Sequence, residues 1–442
     1  MTLFSKKDLF KLILPLVVEQ VLMGLVGIAD ALMVSSVGEV AMSGVSLVDS
    51  LNLLVLGLFS SLATGGSIVT SQYLGKKDDQ NANTAGKHLI VVMILFSLAI
   101  GVFALAANGW ILNGLYGAAE DTVINQARIY FYTAAASYPF IGIFDSYSAL
   151  FRAMGDSKTP MISTLLMNII NVGLNALFIY GFQWGIFGAG LASLIARMFS
   201  AIMLVILLRR PKGRIWVNSL KTSYHLWMVK NILRIAVPTG LENSVFHVGK
   251  LLVQRIVTSF GTAAIAANAV VLTISEFSHM APYAIGLAMI TVVGQCVGAG
   301  DFEQAKRYMI KLNNLAYIVT GVICVLSWVL ADGITWMYHL TPQTAEIAKQ
   351  IIIYHAITCI FLWPSSFTLP MGLQAANDVK FTMIHSILSM WVFRVGLSYL
   401  ISMWFDVGVL GVWIAMSADW LYRAVVYIWR LMSGRWKNRQ FI

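Results

Sequence analysis

The sequence predicts an all-α membrane protein whose twelve spanning helices form two six-helix lobes, the second a parallel internal repeat of the first. Three observations predict it. Of 442 residues, 58% are hydrophobic and 11% charged, more apolar surface than a soluble fold of this length can bury. Apolar runs near the ~20 residues needed to cross a bilayer alternate with short loops rich in Gly, Asn, Asp or Lys. Ordered blocks of residues also recur between the two halves at one offset.

The first run, at about 9–35, follows Ser5, Lys6, Lys7 and Lys11, a stretch like the n-region of a signal peptide. It continues past Val34 with no small-residue cleavage site, so it is read as a retained first helix. Runs at about 44–73, 88–110, 123–150, 160–181 and 186–208 complete an N-lobe, residues 1–208. A basic connection from Arg209 to Arg234 follows, and 209–231 is read as a cytoplasmic linker. Runs at about 232–259, 265–296, 310–331, 344–373, 382–404 and 409–430 make up the C-lobe, residues 232–442.

Basic residues sort by side. With both termini cytoplasmic, 23 of the 30 Lys and Arg fall on the inner side and two, Arg128 and Lys349, on the outer side. Five remain at membrane depth: Arg197, Lys250, Arg255, Arg394 and Arg423. The expectation is a multi-pass protein of the plasma membrane, the inner membrane if bacterial. The formal net charge of +10 then belongs to topology-setting loops, and no nucleic-acid partner is expected. Cys296, Cys324 and Cys359 all fall in apolar runs and are read as packing residues, supplying neither a metal cluster nor a disulfide framework.

The repeat is specific in its order. Pro15 and Glu19 recur as Pro238 and Glu242, and Gly38 and Ala41 as Gly261 and Ala264, at an offset of 223. Gln72, Gly75 and Asp78 recur at the same offset as Gln295, Gly298 and Asp301. Ala153, Asp156 and Lys158 recur as Ala375, Asp378 and Lys380 at 222, and Gly185, Gly188 and Ala192 as Gly408, Gly411 and Ala415 at 223. Six helices per half, an even number, means that both halves enter the membrane from the same side, as repeats related by an axis along the membrane normal do. Two such lobes enclose a cleft, and rocking of one against the other gives alternating access. That is the architecture of a transporter.

Seven acids fall within the spans: Glu19, Asp30, Asp49, Asp145, Glu242, Glu276 and Asp419. Each costs ~2.5–3.5 kcal/mol on insertion scales for an aspartate at a helix centre, so each needs a partner or a function. Asp30 lies eight residues before Gly38, about 12 Å deep at 1.5 Å per residue. Asn171 and Asn175 lie ten and six residues before Gly181, and Ser193 eight after Gly185, at matching depth. Asn168, Asn171 and Asn175 share one helical face. One carboxylate among neutral oxygen donors suits a small hard cation such as Na+, held at Asp30, Asn171 and Asn175, or an exchangeable proton. The plainer reading is an interhelical polar lock.

In the second half, Lys250 and Glu276 fall at similar depth, as do Arg394 and Asp419. Both couples are read as structural charge pairs. Asp145 either faces substrate or bonds to a neighbour. His247, His279 and His355 lie in spans, either as proton carriers or as hydrogen-bonded packing residues. The 21 methionines and 12% aromatics suit a tolerant hydrophobic cleft or ordinary packing.

Several motifs, in order along the chain, resemble the multidrug and toxic compound extrusion (MATE) family. They are Ala29-Asp30 before Val37-Gly38, the block from Phe151-Arg152 through Gly155-Asp156 to Lys158 and Pro160, and Asn168, Asn171 and Asn175. Arg394 and the string Gly408, Gly411, Trp413, Ala415 match its closing pattern. The resemblance spans nearly the whole chain. It implies two six-helix lobes and export of lipophilic, often cationic compounds driven by inward flow of H+ or Na+. It also implies that Asp30, Asn171 and Asn175 match the family's N-lobe cation site and that Pro15 matches its bendable first-helix proline, a hinge. One branch carries aspartate where this chain has Asn175, which leans the coupling toward H+. The sodium-coupled NorM branch also uses acids in helices 7 and 10; Glu242 matches one approximately, and no acid stands near Trp363 and Pro364.

Two rivals are weighed. An intramembrane enzyme is disfavoured: the sequence holds no His-Glu-x-x-His, no Gly-x-Ser-x-Gly and no phosphate-cradling loop, and no cofactor is expected. A lipid-linked glycan flippase of the wider superfamily would use cavity bases such as Lys250 and Arg255, but acids at depth outnumber bases seven to five. The partners expected are a small lipophilic or cationic substrate and membrane lipid, with the protein acting as a monomer.

Overall fold

The computed structural model describes residues 3–116, 120–210, 213–220, 225–405 and 407–438. Among them, nine helices are long and apolar enough to cross a membrane: α1 (Lys6–Ser35), α2 (Glu39–Gly75), α3 (Asp79–Ala106), α5 (Lys158–Gly181), α6 (Gly185–Leu208), α8 (Thr262–Gly298), α9 (Phe302–Val329), α10 (Pro342–Ala375) and α11 (Val379–Ser402). Three further long helices, α4 (Asp121–Ala153), α7 (Leu226–Thr258) and α12 (Leu410–Ser433), complete the twelve expected from sequence. They carry half of the twelve charges at membrane depth: Asp145, Glu242, Lys250, Arg255, Asp419 and Arg423. Short helices, Asn108–Tyr116 and Ala331–Met337, follow α3 and α9.

Helix starts follow from local chemistry. Ser5 and Asp8 form a reciprocal capping box at the head of α1. Asp78 accepts from the Asn81 backbone N–H at 3.0 Å to cap α3, and Asp301, 223 residues on, accepts from Gln304 N–H at 2.8 Å to cap α9. Gly185, the first residue of α6, lies at φ +55° and Gly408, two residues before α12, at φ +56°, a left-handed conformation that glycine adopts without a Cβ clash. Pro15, Pro139, Pro238 and Pro282 sit inside helices, and α1 is helical on both sides of Pro15.

The chain divides into two compact units, Ser5–Gly240 and Leu241–Ile442 with Met1–Phe4. In the first, α2 and α4 form the centre, with α3 and α6 packed on α4. Gly190 on α6 makes the closest approach: a Cβ there would stand 1.9 Å from Thr133 Oγ1 of α4, so only glycine brings these helices together. In the second unit α8 and α10 are central and α9 packs on both.

The division falls inside α7, two residues after Pro238, rather than at the end of the expected linker. Part of that linker, residues 211–212 and 221–224, lies outside the described residues. Its described part is anchored: Arg214 bonds Asp79 at 2.6 Å and the Leu74 carbonyl at 2.9 Å, and Trp216 N–H donates to Asn83 at 2.7 Å. The first half of α7 likewise packs on α2, where Ile232 and Ala236 meet Gly65.

Candidate functional site

Four residues expected to share a depth in the first unit are joined by hydrogen bonds. Asn175 uses its amide nitrogen twice, donating to Asp30 Oδ1 on α1 at 2.6 Å and to Asn171 Oδ1, one turn earlier, at 3.2 Å. Asn171 passes the chain to Ser193 Oγ on α6 at 3.0 Å. Asn168, on the same face, donates to the Leu22 carbonyl of α1 at 2.7 Å. The i, i+3/i+4 spacing of the three asparagines puts them in one column. Asn171 and Asn175 are buried, while Asp30 is half-buried. The Asn175 and Asn168 side-chain oxygens are buried with no donor among the described residues.

The donors aimed at Asp30 therefore include a hydrogen rather than an oxygen. Turning the Asn175 amide would set its oxygen against a carboxylate and lose both bonds, so the orientation follows from charge.

Arg197, one turn beyond Ser193, was legible only as a charge at depth. It donates to Ser137 Oγ of α4 at 2.7 Å and lies within electrostatic reach of Asp30 and Asp49. Asp49 on α2 accepts from Asn52 at 3.2 Å, whose oxygen accepts from Tyr138 OH at 2.8 Å. The Ser193–Arg197 spacing of four was the available signal. Asp145, also on α4, makes no hydrogen bond or ion pair among the described residues. Glu19 is paired with Arg152 at 3.4 Å.

In the second unit, Asp419 of α12 contacts Arg394 of α11 at 2.9 Å, as expected, and also Arg423, one turn along its own helix, at 2.8 Å. Ser389 donates to the same carboxylate. Arg423 bonds Ser386 Oγ at 2.5 Å and its carbonyl at 3.0 Å. Phe246 of α7 lies under both guanidiniums, 5.0 and 5.5 Å from its ring centroid. Glu242 accepts from Gln374 at 3.3 Å.

Lys250 and Glu276 form no ion pair among the described residues, contrary to the expectation from sequence. Equal depth does not fix direction around the helix. Both side chains are exposed, and Lys250 lies 6.0 Å from the ring centroid of Phe246, four residues before it on α7.

Comparison with known proteins places this arrangement. The family model MatE matches twice, at residues 15–177 and 238–400, so its two copies begin 223 residues apart, the offset of the internal repeat. The probable multidrug resistance protein NorM of Thermotoga maritima is 25% identical over 439 residues, covering 98% of this chain and 94% of that protein. A multidrug resistance MATE family transporter of the MOP superfamily, solved in an outward-facing conformation, is similar in fold with a TM-score of 0.91 at 18% identity, over 97% of this chain and 96% of the other. A MOP superfamily transporter from Pyrococcus furiosus gives 0.92 at 18% identity, over 98% and 97%. With the family model spanning most of both halves, this chain belongs to the MATE family of multi-pass membrane transporters.

Proposed function

We propose that the chain exports lipophilic, cationic compounds in exchange for H+ by alternating access, with Asp30 as the coupling carboxyl. The observation that carries the reading is the Asp30–Asn175–Asn171–Ser193 chain, which ties α1 to α5 and α6 through a single ionisable group. Protonation neutralises Asp30 and weakens the charge-assisted bond from Asn175. It also removes the attraction of Arg197. With that tie loosened, α1 bends at Pro15, where proline leaves a backbone hydrogen bond unmade. Proton uptake and substrate release are then linked through their different affinities for the two states of the helix.

H+ is favoured over Na+ because a hard cation needs several converging oxygens. Asn175 presents N–H to the carboxylate instead. The names of the multidrug-resistance relatives support the substrate class, as does the methionine- and aromatic-rich composition. Both termini are read as cytoplasmic in a plasma membrane, from the 23-to-2 charge bias, and the transporter as a monomer. The glycan-flippase alternative needs bases free to hold pyrophosphate. Arg394 and Arg423 are bound to Asp419, which leaves that role to Lys250 and Arg255.

The test is efflux of a cationic dye from reconstituted vesicles at a fixed pH gradient with Na+ replaced by choline. Transport is expected to persist. Loss of transport in choline, together with Na+-driven efflux without a pH gradient, would overturn the proton assignment.

A further inference from the structure

A second constellation lies in the middle of the second unit, where the coupling reading uses none of its residues. His279 of α8 and His355 and Cys359 of α10 each place one ligand atom within 4.8 Å of the others. Cys359 Sγ is 3.7 Å from His279 Nε2. His355 and Cys359, four residues apart on one helix, project from the same face. His355 is 1% exposed, and neither of its ring nitrogens has a hydrogen-bond partner among the described residues. A neutral imidazole carries one donor and one acceptor, so both are left buried and unpaired, an outcome that folded proteins avoid.

The shell around the cluster is aromatic. Trp363 stacks on His279 at a 4.4 Å centroid distance, Trp413 stands edge-on to His355 at 5.5 Å, and Trp420 stands edge-on to both histidines at 5.9 Å. Cys324 and Ala356 pack into the same buried cluster.

We propose that His279, His355 and Cys359 bind one soft monovalent cation, Cu(I). The ligand set is two imidazole nitrogens and a thiol with no oxygen, which selects against Na+, Mg2+ and Ca2+ and for soft ions. Metal–nitrogen and metal–sulfur bonds of ~2.0–2.3 Å put neighbouring ligand atoms about 3.3–3.8 Å apart in a trigonal or tetrahedral site, and the Cys359–His279 separation falls in that range. Charge decides the valence. Binding of Cu+ displaces the Cys359 thiol proton to solvent, forming a Cu–S bond and leaving a neutral site. A divalent ion on the same three ligands would leave one unbalanced charge inside an apolar shell, which is costly. The bound ion would satisfy one of the two unpaired nitrogens of His355 and tie α8 to α10.

The test uses the full-length protein in detergent, under anaerobic reducing conditions, with Cu(I) buffered by a chromophoric chelator. One Cu(I) per chain is expected, with X-ray absorption showing one sulfur and two nitrogen scatterers in the unmodified protein. Affinity should fall at least tenfold in Cys359→Ser and in His355→Leu, and be unchanged in Cys296→Ser. Absence of binding by the unmodified protein, full retention in Cys359→Ser, an absorption spectrum without sulfur, or stoichiometric Zn2+ binding in place of Cu(I) would each overturn the proposal. The absorption measurement needs no variant, so a misfolded mutant does not blunt it.

Discussion

Within Ser5–Gly240 the polar interior around Asp30 is an aspartate dressed by amides and a hydroxyl; within Leu241–Ile442 it is a carboxylate clamped between two guanidiniums. The frame beneath them is the same. Asp78 and Asp301 cap α3 and α9 with matching bonds, the short helices start at Asn108 and Ala331, 223 residues apart, and Gly185 and Gly408 share one left-handed turn. Glu19 and Glu242, at that offset, meet Arg152 and Gln374, which are 222 apart. The fillings diverge elsewhere. Asp30 has Val253 as its counterpart at 223. Ser137 and Arg197, hydrogen-bonded in the first unit, correspond at 222 and 223 to Cys359 and Trp420 in the second. Backbone devices whose geometry is local have survived the duplication, while the buried polar chemistry has been rewritten. That divergence is why the proposed coupling carboxyl is sought in the first unit.

The largest expected effect tests whether the arginine–aspartate centre is structural. Asp419→Asn leaves two buried guanidiniums without a counter-charge and should cost about 3–5 kcal/mol, read as a collapse of melting temperature in detergent. Replacing Arg394, Asp419 and Arg423 together by apolar residues of similar volume should recover much of it. A melting curve for Asp419→Asn matching that of the unaltered protein would remove the contrast between the units.

Asp30→Asn should do the opposite: ion-driven efflux falls at least tenfold while the protein inserts and melts nearly as before, because a neutral amide retains the packing but carries no exchangeable proton. Unchanged transport in vesicles under an imposed gradient would make Asp30 a packing residue.

The paired glutamates sharpen the comparison further. Glu19→Gln leaves the Arg152 guanidinium without its acid, whereas Glu242→Gln leaves a neutral Gln374 and an Arg423 that keeps its bond to Asp419, so the first should lower stability more, by ~1–2 kcal/mol. Equal losses in the two variants would mean that the ion pair adds nothing over the amide contact.

The smallest effect concerns the caps. Asp78→Ala and Asp301→Ala should each cost about 1 kcal/mol near neutral pH, and by similar amounts, since the cap bonds match. Hydrogen bonds from Asn81, its side chain first and its backbone second, hold the Asp78 carboxyl below the usual carboxylate range. A group whose folded pKa is depressed adds stability that is present above its unfolded pKa and lost as pH falls. The penalty of Asp78→Ala should therefore shrink as pH drops through and below about 4; a penalty constant with pH would assign the cap to shape rather than charge.

Hydropathy, charge bias and the 223-residue offset were enough to determine the twelve helices and the two-half repeat, and short motifs carried the resemblance to the family, because each is written locally along the chain: an apolar run is a span whatever surrounds it. The column of asparagines was equally legible, since helical periodicity alone puts residues 168, 171 and 175 on one face. Depth along a helix can be counted from sequence, but rotation about its axis and the choice of neighbour cannot. Only the tertiary structure could therefore decide that Arg394 shares Asp419 with Arg423, that Lys250 and Glu276 form no ion pair among the described residues, and that Arg197 bonds Ser137 within electrostatic reach of Asp30. The same limit hid the cysteine. His355 and Cys359 stand four apart on one helix, but the third ligand, His279, lies on another, and packing alone brings it to them.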